Sequence, residues 1–149
     1  MKKIILLFLV LCSFCLVGCG HIEDTNGPDD YSLCELSFDN IINGISSSTE
    51  MLSSNIQIGN KCTVKVKKFS GIKKIDEFRL DSDNFSINLS CEVSSGNLMV
   101  VLVKDDKMIK EFVVNKDNQS FTINNGDGKY YLYVLGESAQ YKIVYEYNY

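Results

Sequence analysis

Residues 85–107 read FSINLSCEVSSGNLMVVLVKDDK, and this stretch decides the fold. Phe85, Ile87, Leu89, Cys91 and Val93 alternate with Ser86, Asn88, Ser90 and Glu92. A period of two sends successive side chains to opposite faces, so the segment is a strand with one dry side and one wet side. Ser94–Asn97 reads as a turn, since serine, glycine and asparagine cluster there. Leu98–Val103 is apolar at every position and therefore reads as a central strand covered on both faces. Asp105 and Asp106 then turn the chain again.

The same pattern extends outward in both directions. Upstream lie CTVKVKKF (62–69) and DEFRL (76–80); downstream lie MIKEFVV (108–114), SFTI (120–123), KYYLYVL (129–135) and QYKIVYEY (140–147). Polar runs separate them: NKDN, NNGDG and GESA. About eight short strands without an intervening helix imply an all-β chain, an antiparallel β-sandwich or jelly-roll-like single domain. The segment Phe38–Ser54 fits either a short amphipathic helix or an irregular edge. No internal repeat and no second domain are visible.

The last two strands are similar to the ending of the bacterial pre-peptidase C-terminal domain family. The residues that carry the resemblance are Gly128, Tyr130, Leu132 and Val134, followed by Tyr141, Ile143 and Tyr145. Phe78, the 85–93 strand and GNLMVVLVKDD fit the middle of that family, for a coverage of Ile75 to Tyr147. The resemblance implies a small jelly-roll-like sandwich that accompanies secreted enzymes without being catalytic. The chain contains no peptidase portion.

The N-terminus has a different character. MKK is followed by the apolar run IILLFLVLCSFCLV and then Gly18-Cys19. A basic start, an apolar run too short to span a bilayer and a small-residue exit form a secretory signal. Leu16-Val17-Gly18-Cys19 resembles a bacterial lipobox, which implies cleavage after residue 18 and a diacylglyceryl group on Cys19. Two acyl chains on one residue anchor a protein stably. Residues 1–18 are thus expected to be a lipoprotein signal peptide, 19–32 a lipidated N-terminus and polar tether, and 33–149 the β-sandwich domain. The tether carries Glu23, Asp24, Asp29 and Asp30 and the single proline. The expected location is outside the cytoplasm, on a bacterial cell membrane.

Net charge is −4, and −6 without Lys2 and Lys3, which argues against a general nucleic-acid binder. Of six cysteines, Cys12 and Cys15 leave with the signal and Cys19 carries lipid. Cys34, Cys62 and Cys91 remain, enough for one disulfide, and Cys34 with Cys62 is the expected pair. Cys91 falls on the apolar face of its strand and reads as a small buried residue. No two of these cysteines have chelating spacing, so neither a metal nor another cofactor is expected.

Catalytic chemistry finds little material. His21, the single histidine, lies in the tether, and no G-x-S-x-G elbow exists. The acid pairs Asp105/Asp106 and Asp76/Glu77 sit in turns or at strand starts, where acids face water. NNGDG resembles part of a calcium loop, but the first and twelfth ligand positions are Ile123 and Val134. Asp81–Asn84 (DSDN) reads as a solvated loop. The chain is therefore expected not to be an enzyme.

Two features suit binding. Lys61, Lys65, Lys67, Lys68, Lys73 and Lys74 concentrate positive charge in an acidic chain, fit for anionic wall polymers or headgroups. Their alternation with Val64 and Val66 equally suits the wet face of a strand, with lysines guarding a sheet edge. Seven of eight tyrosines lie between Tyr130 and Tyr149. If Tyr130, Leu132 and Val134 share the core face with Tyr141, Ile143 and Tyr145, then Tyr131 and Tyr133 point the other way. That face is either an aromatic surface for sugars or proteins, or is covered by the 38–54 segment. The sequence therefore supports a non-catalytic envelope role: binding a wall polymer or glycan through Tyr131, Tyr133, Lys65, Lys67 and Lys68. Its alternatives are an accessory module docking an envelope enzyme or transporter, and a structural lipoprotein without a specific ligand.

Overall fold

The computed structural model describes residues 38–42 and 47–149. The expected signal peptide, the expected lipidation site Cys19, the expected tether and Cys34 lie outside the described residues. A one-turn helix, α1 (Phe38–Ile42), precedes four strands: β1 (Ser48–Ile58), β2 (Lys61–Lys104), β3 (Lys107–Phe112) and β4 (Lys116–Asn148). All strand pairing is antiparallel, and β2 pairs with each of the other three. The expected all-β antiparallel class is what the chain adopts. Segment 38–54 is divided, with the helix at its start and an edge strand from Ser48.

The expected short strands merge into longer runs. Asp105–Asp106 does reverse the chain, but Val114–Asn115 only interrupts it, since β3 and then β4 run past β2 in one direction, and Ser94–Asn97, Asn124–Gly128 and Gly136–Ala139 do not reverse it either. At these three places β2 or β4 bends and continues. Glycine explains the bend. Gly71 and Leu98 both pair with Gly136, so two strands meet β4 at one level where a side chain is missing. A Cβ on Gly71 would lie 2.1 Å from the Ser47 carbonyl oxygen, and its φ of 113° is closed to other residues. Glycine within a strand marks such bends and close backbone approaches.

Two registers join β2 to β4. One runs from Lys61↔Glu146 through Phe85↔Ile123 to Cys91↔Lys116; the other runs from Ser86↔Asn148 to Val103↔Tyr131. Residues of late β4 consequently have β2 neighbours on both sides: Val134 lies between Lys73 and Val100, and Ile143 between Val64 and Cys91. The ribbon returns onto itself, so this part of β4 is central. β1 has β2 on one side only and forms an edge. The lysine-bearing strand 61–69 is therefore not the edge, because β1 covers one side and β4 the other.

The main core lies on the inward face. It includes Phe69, Phe78, Phe85, Ile87, Leu89, Leu102, Leu132 and Ile143, all essentially inaccessible to water. Each such side chain contributes on the order of 1.5–3 kcal/mol by burial. Tyr130, Leu132, Val134, Tyr141, Ile143 and Tyr145 all join this core, as the alternation predicts. A smaller cluster occupies the opposite face: Ile72, Val101, Val103 and Leu135, packed against Phe38 and Ile41 of α1 and partly against Met99 and Tyr133. This accounts for the doubly apolar Leu98–Val103 run. Gln119 is buried near the start of β4, where it donates to the Val113 carbonyl (2.8 Å) and accepts from the Val113 N–H (2.8 Å).

Candidate functional site

Tyr131 and Tyr133 lie on the face away from the main core, as expected, and both are half-buried. Their rings are 6.3 Å apart and inclined by 53°. Tyr133 leans into the cluster covered by α1, so the helix takes part of this aromatic surface. Register places Lys74 beside Tyr133 and Glu77 beside Tyr131. The Lys74 ammonium lies 5.0 Å from the Tyr131 ring centroid, within cation–π range. Glu77 accepts from Lys74 at 3.0 Å and pairs with Lys129 at 3.4 Å. These contacts hold the Glu77 carboxyl below its ordinary range, the Lys74 hydrogen bond first, and hold the Lys74 ammonium above its own. The surface around Tyr131 is thus aromatic and rich in hydrogen-bonding groups, with one carboxylate shared between two ammoniums.

The lysines predicted to support this aromatic pair stand elsewhere. Lys65, Lys67 and Lys68 are exposed, but Lys65 pairs with Ser54 of β1 and Lys142 of β4, and Lys68 pairs with Met51. Tyr131 and Tyr133 occupy a different stretch of the ladder, so the structure does not join the two sets. Around Lys65 and Lys67 the sheet forms a depression of about 400 Å³, also lined by Leu52, Ser54, Glu92, Ser94, Gln140 and Lys142. Lys142 was not singled out by sequence reasoning. Its signal was present in QYKIVYEY as an outward position, but only the register sets it against Lys65.

Cys62 is buried and has no disulfide partner among the described residues, and Cys34 lies outside them. Cys91 is buried as predicted, and burial pushes its thiol up to about 12. Tyr145 donates to the Asp76 carboxylate at 2.9 Å. Tyr141 is equally deep, yet its hydroxyl has no partner among the described residues. Of the acids weighed for calcium, Asp127 is held by Lys104 at 2.7 Å. No group of three or more His, Cys, Asp or Glu side chains suited to a metal exists among the described residues. No helix among them is long and apolar enough to cross a membrane.

Comparison with protein families and with curated proteins finds no match. Among solved structures, the chain is similar to a structure of accessory secretory proteins 1, 2 and 3 from Streptococcus pneumoniae. That likeness has 14% identity, covers 68% of this chain and 95% of the other, and has a TM-score of 0.30. It is also similar to the Drosophila melanogaster CENP-C cupin domain at 10% identity, covering 78% and 97% of the two chains, with a TM-score of 0.28. Likeness at this level carries no conclusion about what the chain does.

Proposed function

We propose that the chain is an exported lipoprotein, anchored through Cys19 on the acidic 19–32 tether, whose β-sandwich binds wall glycan without catalysing a reaction. The observation that carries the binding reading is the surface around Tyr131. A half-buried aromatic ring stands beside an ammonium, and that ammonium and a second one share the Glu77 carboxylate, which offsets part of their charge. Sugars combine apolar C–H faces with hydroxyl rims, so they suit a ring flanked by hydrogen-bonding groups without a strong net field. The returning β2–β4 ribbon supports a jelly-roll reading of the sandwich, because one long hairpin rolled onto itself produces two such registers. Export and lipidation rest on the N-terminal pattern.

The test is co-sedimentation of Asp24–Tyr149 with purified sacculi, before and after chemical removal of anionic polymers, at low and high salt. Wild-type protein is expected to sediment with stripped sacculi in high salt. Tyr131→Ala is expected to lose most of that binding and Tyr131→Phe to keep it. Equal sedimentation by wild type and Tyr131→Ala under those conditions would refute glycan recognition by this face.

A second reading, accessory protein docking, is favoured by β1. This edge strand is 11 residues long, lacks proline and lysine, and exposes Leu52, Ile56 and Ile58 at 71%, 53% and 76%. Natural edges usually carry protection against strand addition, and an unprotected one is a template for an extended partner. Recovery of one stoichiometric envelope partner, lost in Ile56→Lys, would favour this reading over the first.

A further inference from the structure

The row Ser54–Lys65–Lys142–Glu92 crosses four neighbouring stretches of sheet on the outward face. Lys65 and Lys142 are directly opposed. Opposed Cβ atoms lie about 4.5–5.5 Å apart, and like charges so placed destabilise a sheet. An acid at either position would remove the repulsion. Glu92 faces Lys142 from the other side, but no ion pair forms: Lys65, Lys67 and Lys142 have no salt-bridge partner among the described residues. Four other lysines, Lys73, Lys74, Lys104 and Lys129, are each committed to a carboxylate. Lys65, Lys67 and Lys142 instead line one depression of about 400 Å³, together with Ser54 and Ser94. That volume lies within the usual range of ligand sites.

We infer that this depression is an anion site for phosphodiester groups, the chemistry shared by polyol-phosphate polymers and phospholipid headgroups. Lysine ammoniums act as point charges toward phosphate, and two of them converging on one anion convert a repulsion into an attraction. The serine hydroxyls and the Gln140 amide supply neutral donors beside the charge. A single Glu92 carboxylate leaves the lining net positive. This site lies apart from Tyr131, so it extends the proposed glycan binding and does not depend on it, although both presume contact with the envelope.

The test uses the full-length chain in neutral-detergent micelles with three probes: soluble poly(glycerol phosphate), micelles doped with phosphatidylglycerol, and poly-L-glutamate as a carboxylate control. Wild-type protein is expected to bind the glycerol phosphate polymer in a salt-sensitive manner. The double variant Lys65→Gln/Lys142→Gln is expected to lose affinity by about ten- to thirty-fold, from the contribution of a lysine near an anionic surface. Lys107→Gln, an exposed lysine on β3, is expected to bind as wild type, and so is Tyr131→Ala. Without ligand, Lys142→Gln is expected to melt higher than wild type, which separates lost binding from lost folding. Competition by phosphatidylglycerol micelles would assign the headgroup as the source, and its absence the polymer. Failure of wild type to bind either phosphodiester probe, equal binding of poly-L-glutamate, or full affinity in the double variant would overturn the inference. Loss of sacculus binding in Tyr131→Ala with anion binding intact would leave the two sites independent.

Discussion

Replacing Tyr141 by phenylalanine is expected to stabilise the protein, while the same change at Tyr145 is expected to weaken it. Both rings are buried in the main core, with 3% and 2% of their surface exposed. Their hydroxyls differ. That of Tyr141 has no partner among the described residues, so folding strips it of water without replacing the lost hydrogen bond. Such a buried orphan costs about 1–3 kcal/mol. The ring itself is well placed, 5.7 Å from Phe69 in an edge-to-face contact at 89°, and phenylalanine keeps that contact. Tyr141→Phe is therefore expected to gain about 1 kcal/mol or more. At Tyr145 the hydroxyl donates to one oxygen of the Asp76 carboxylate at 2.9 Å, while the other oxygen accepts from the Glu77 N–H at 2.8 Å. Hydrogen bonds to charged groups contribute about 1.5–3 kcal/mol, so Tyr145→Phe is expected to lose that amount. Urea unfolding followed by far-UV circular dichroism resolves the pair, since urea slopes of about 1–3 kcal/mol/M turn these energies into midpoint shifts of opposite sign. A Tyr141→Phe variant destabilised as much as Tyr145→Phe would refute the reasoning and show that the Tyr141 hydroxyl is satisfied.

Gly71→Ala combines a φ of 113° with a Cβ 2.1 Å from the Ser47 oxygen, the same oxygen that accepts from Ile72 N–H at 2.9 Å. It is expected to cost more than about 2 kcal/mol in thermal or urea melts, and a neutral outcome would show that the bend can open. Burial alone would raise the Glu50 carboxyl, but hydrogen bonds from Lys73 and Ser53 and the Lys73 charge outweigh it and leave the group lowered. A depressed folded pKa stabilises above the unfolded value, so Glu50→Gln is expected to be weaker than wild type at neutral pH, by less than about 1 kcal/mol. That difference should fade as pH falls through the folded pKa, below the ordinary 4.5. A constant difference across that range would mean that packing, not charge, is responsible. Cys91 is expected to resist iodoacetamide at pH 8 in the folded chain and to react in urea, as peptide mapping would show, because burial keeps its thiol protonated.

The core was legible because period two holds within each stretch between irregularities. Phe85, Ile87, Leu89 and Cys91 point inward as their spacing requires, and so do Tyr130, Leu132 and Val134. The doubly apolar Leu98–Val103 run announced cover on both faces, and α1 supplies part of the second. Turns were less legible. Gly-containing polar runs signal a departure from regular backbone, but Asp105–Asp106 reverses the chain while Gly136–Ala139 only bends it, and composition does not separate the two. The separation follows from long-range pairing, since Gly136 must fit between Gly71 and Leu98. The site suffered from the same ignorance of register. Lys65 was visible as an outward lysine, but Lys142 becomes its neighbour only through a ladder spanning much of the chain.

That ladder passes one irregularity whose removal makes a sharp prediction. On early β4 the outward tyrosines are Tyr131 and Tyr133, whereas on late β4 the outward residue is Lys142 and its neighbours Tyr141 and Ile143 face the core. In an uninterrupted strand, Tyr131 and Lys142 would lie on opposite faces, since their numbers differ in parity. The change of face occurs near Ser138, which has a φ of 48° and whose N–H donates to Ser70 Oγ at 2.9 Å. β2 changes face at the same level, since Ile72↔Leu135 and Val66↔Tyr141 keep one register, so the loss of one residue from β4 alone reverses the facing of everything beyond it. Deleting Ser138 should therefore turn Lys142 and Glu146 into the core and Tyr141, Ile143 and Tyr145 into water. Burying unpaired charge while exposing large apolar groups exceeds the 5–15 kcal/mol that typically holds a domain together, as an order of magnitude. The deletion is expected to abolish cooperative unfolding by circular dichroism. Ser138→Gly keeps the residue count and relieves the positive φ, so it is expected to fold normally, within about 1 kcal/mol of wild type. A deletion variant that melts cooperatively near the wild-type temperature would show that late β4 can slip register. Facing of Tyr131 and Lys142 would then not be set at Ser138.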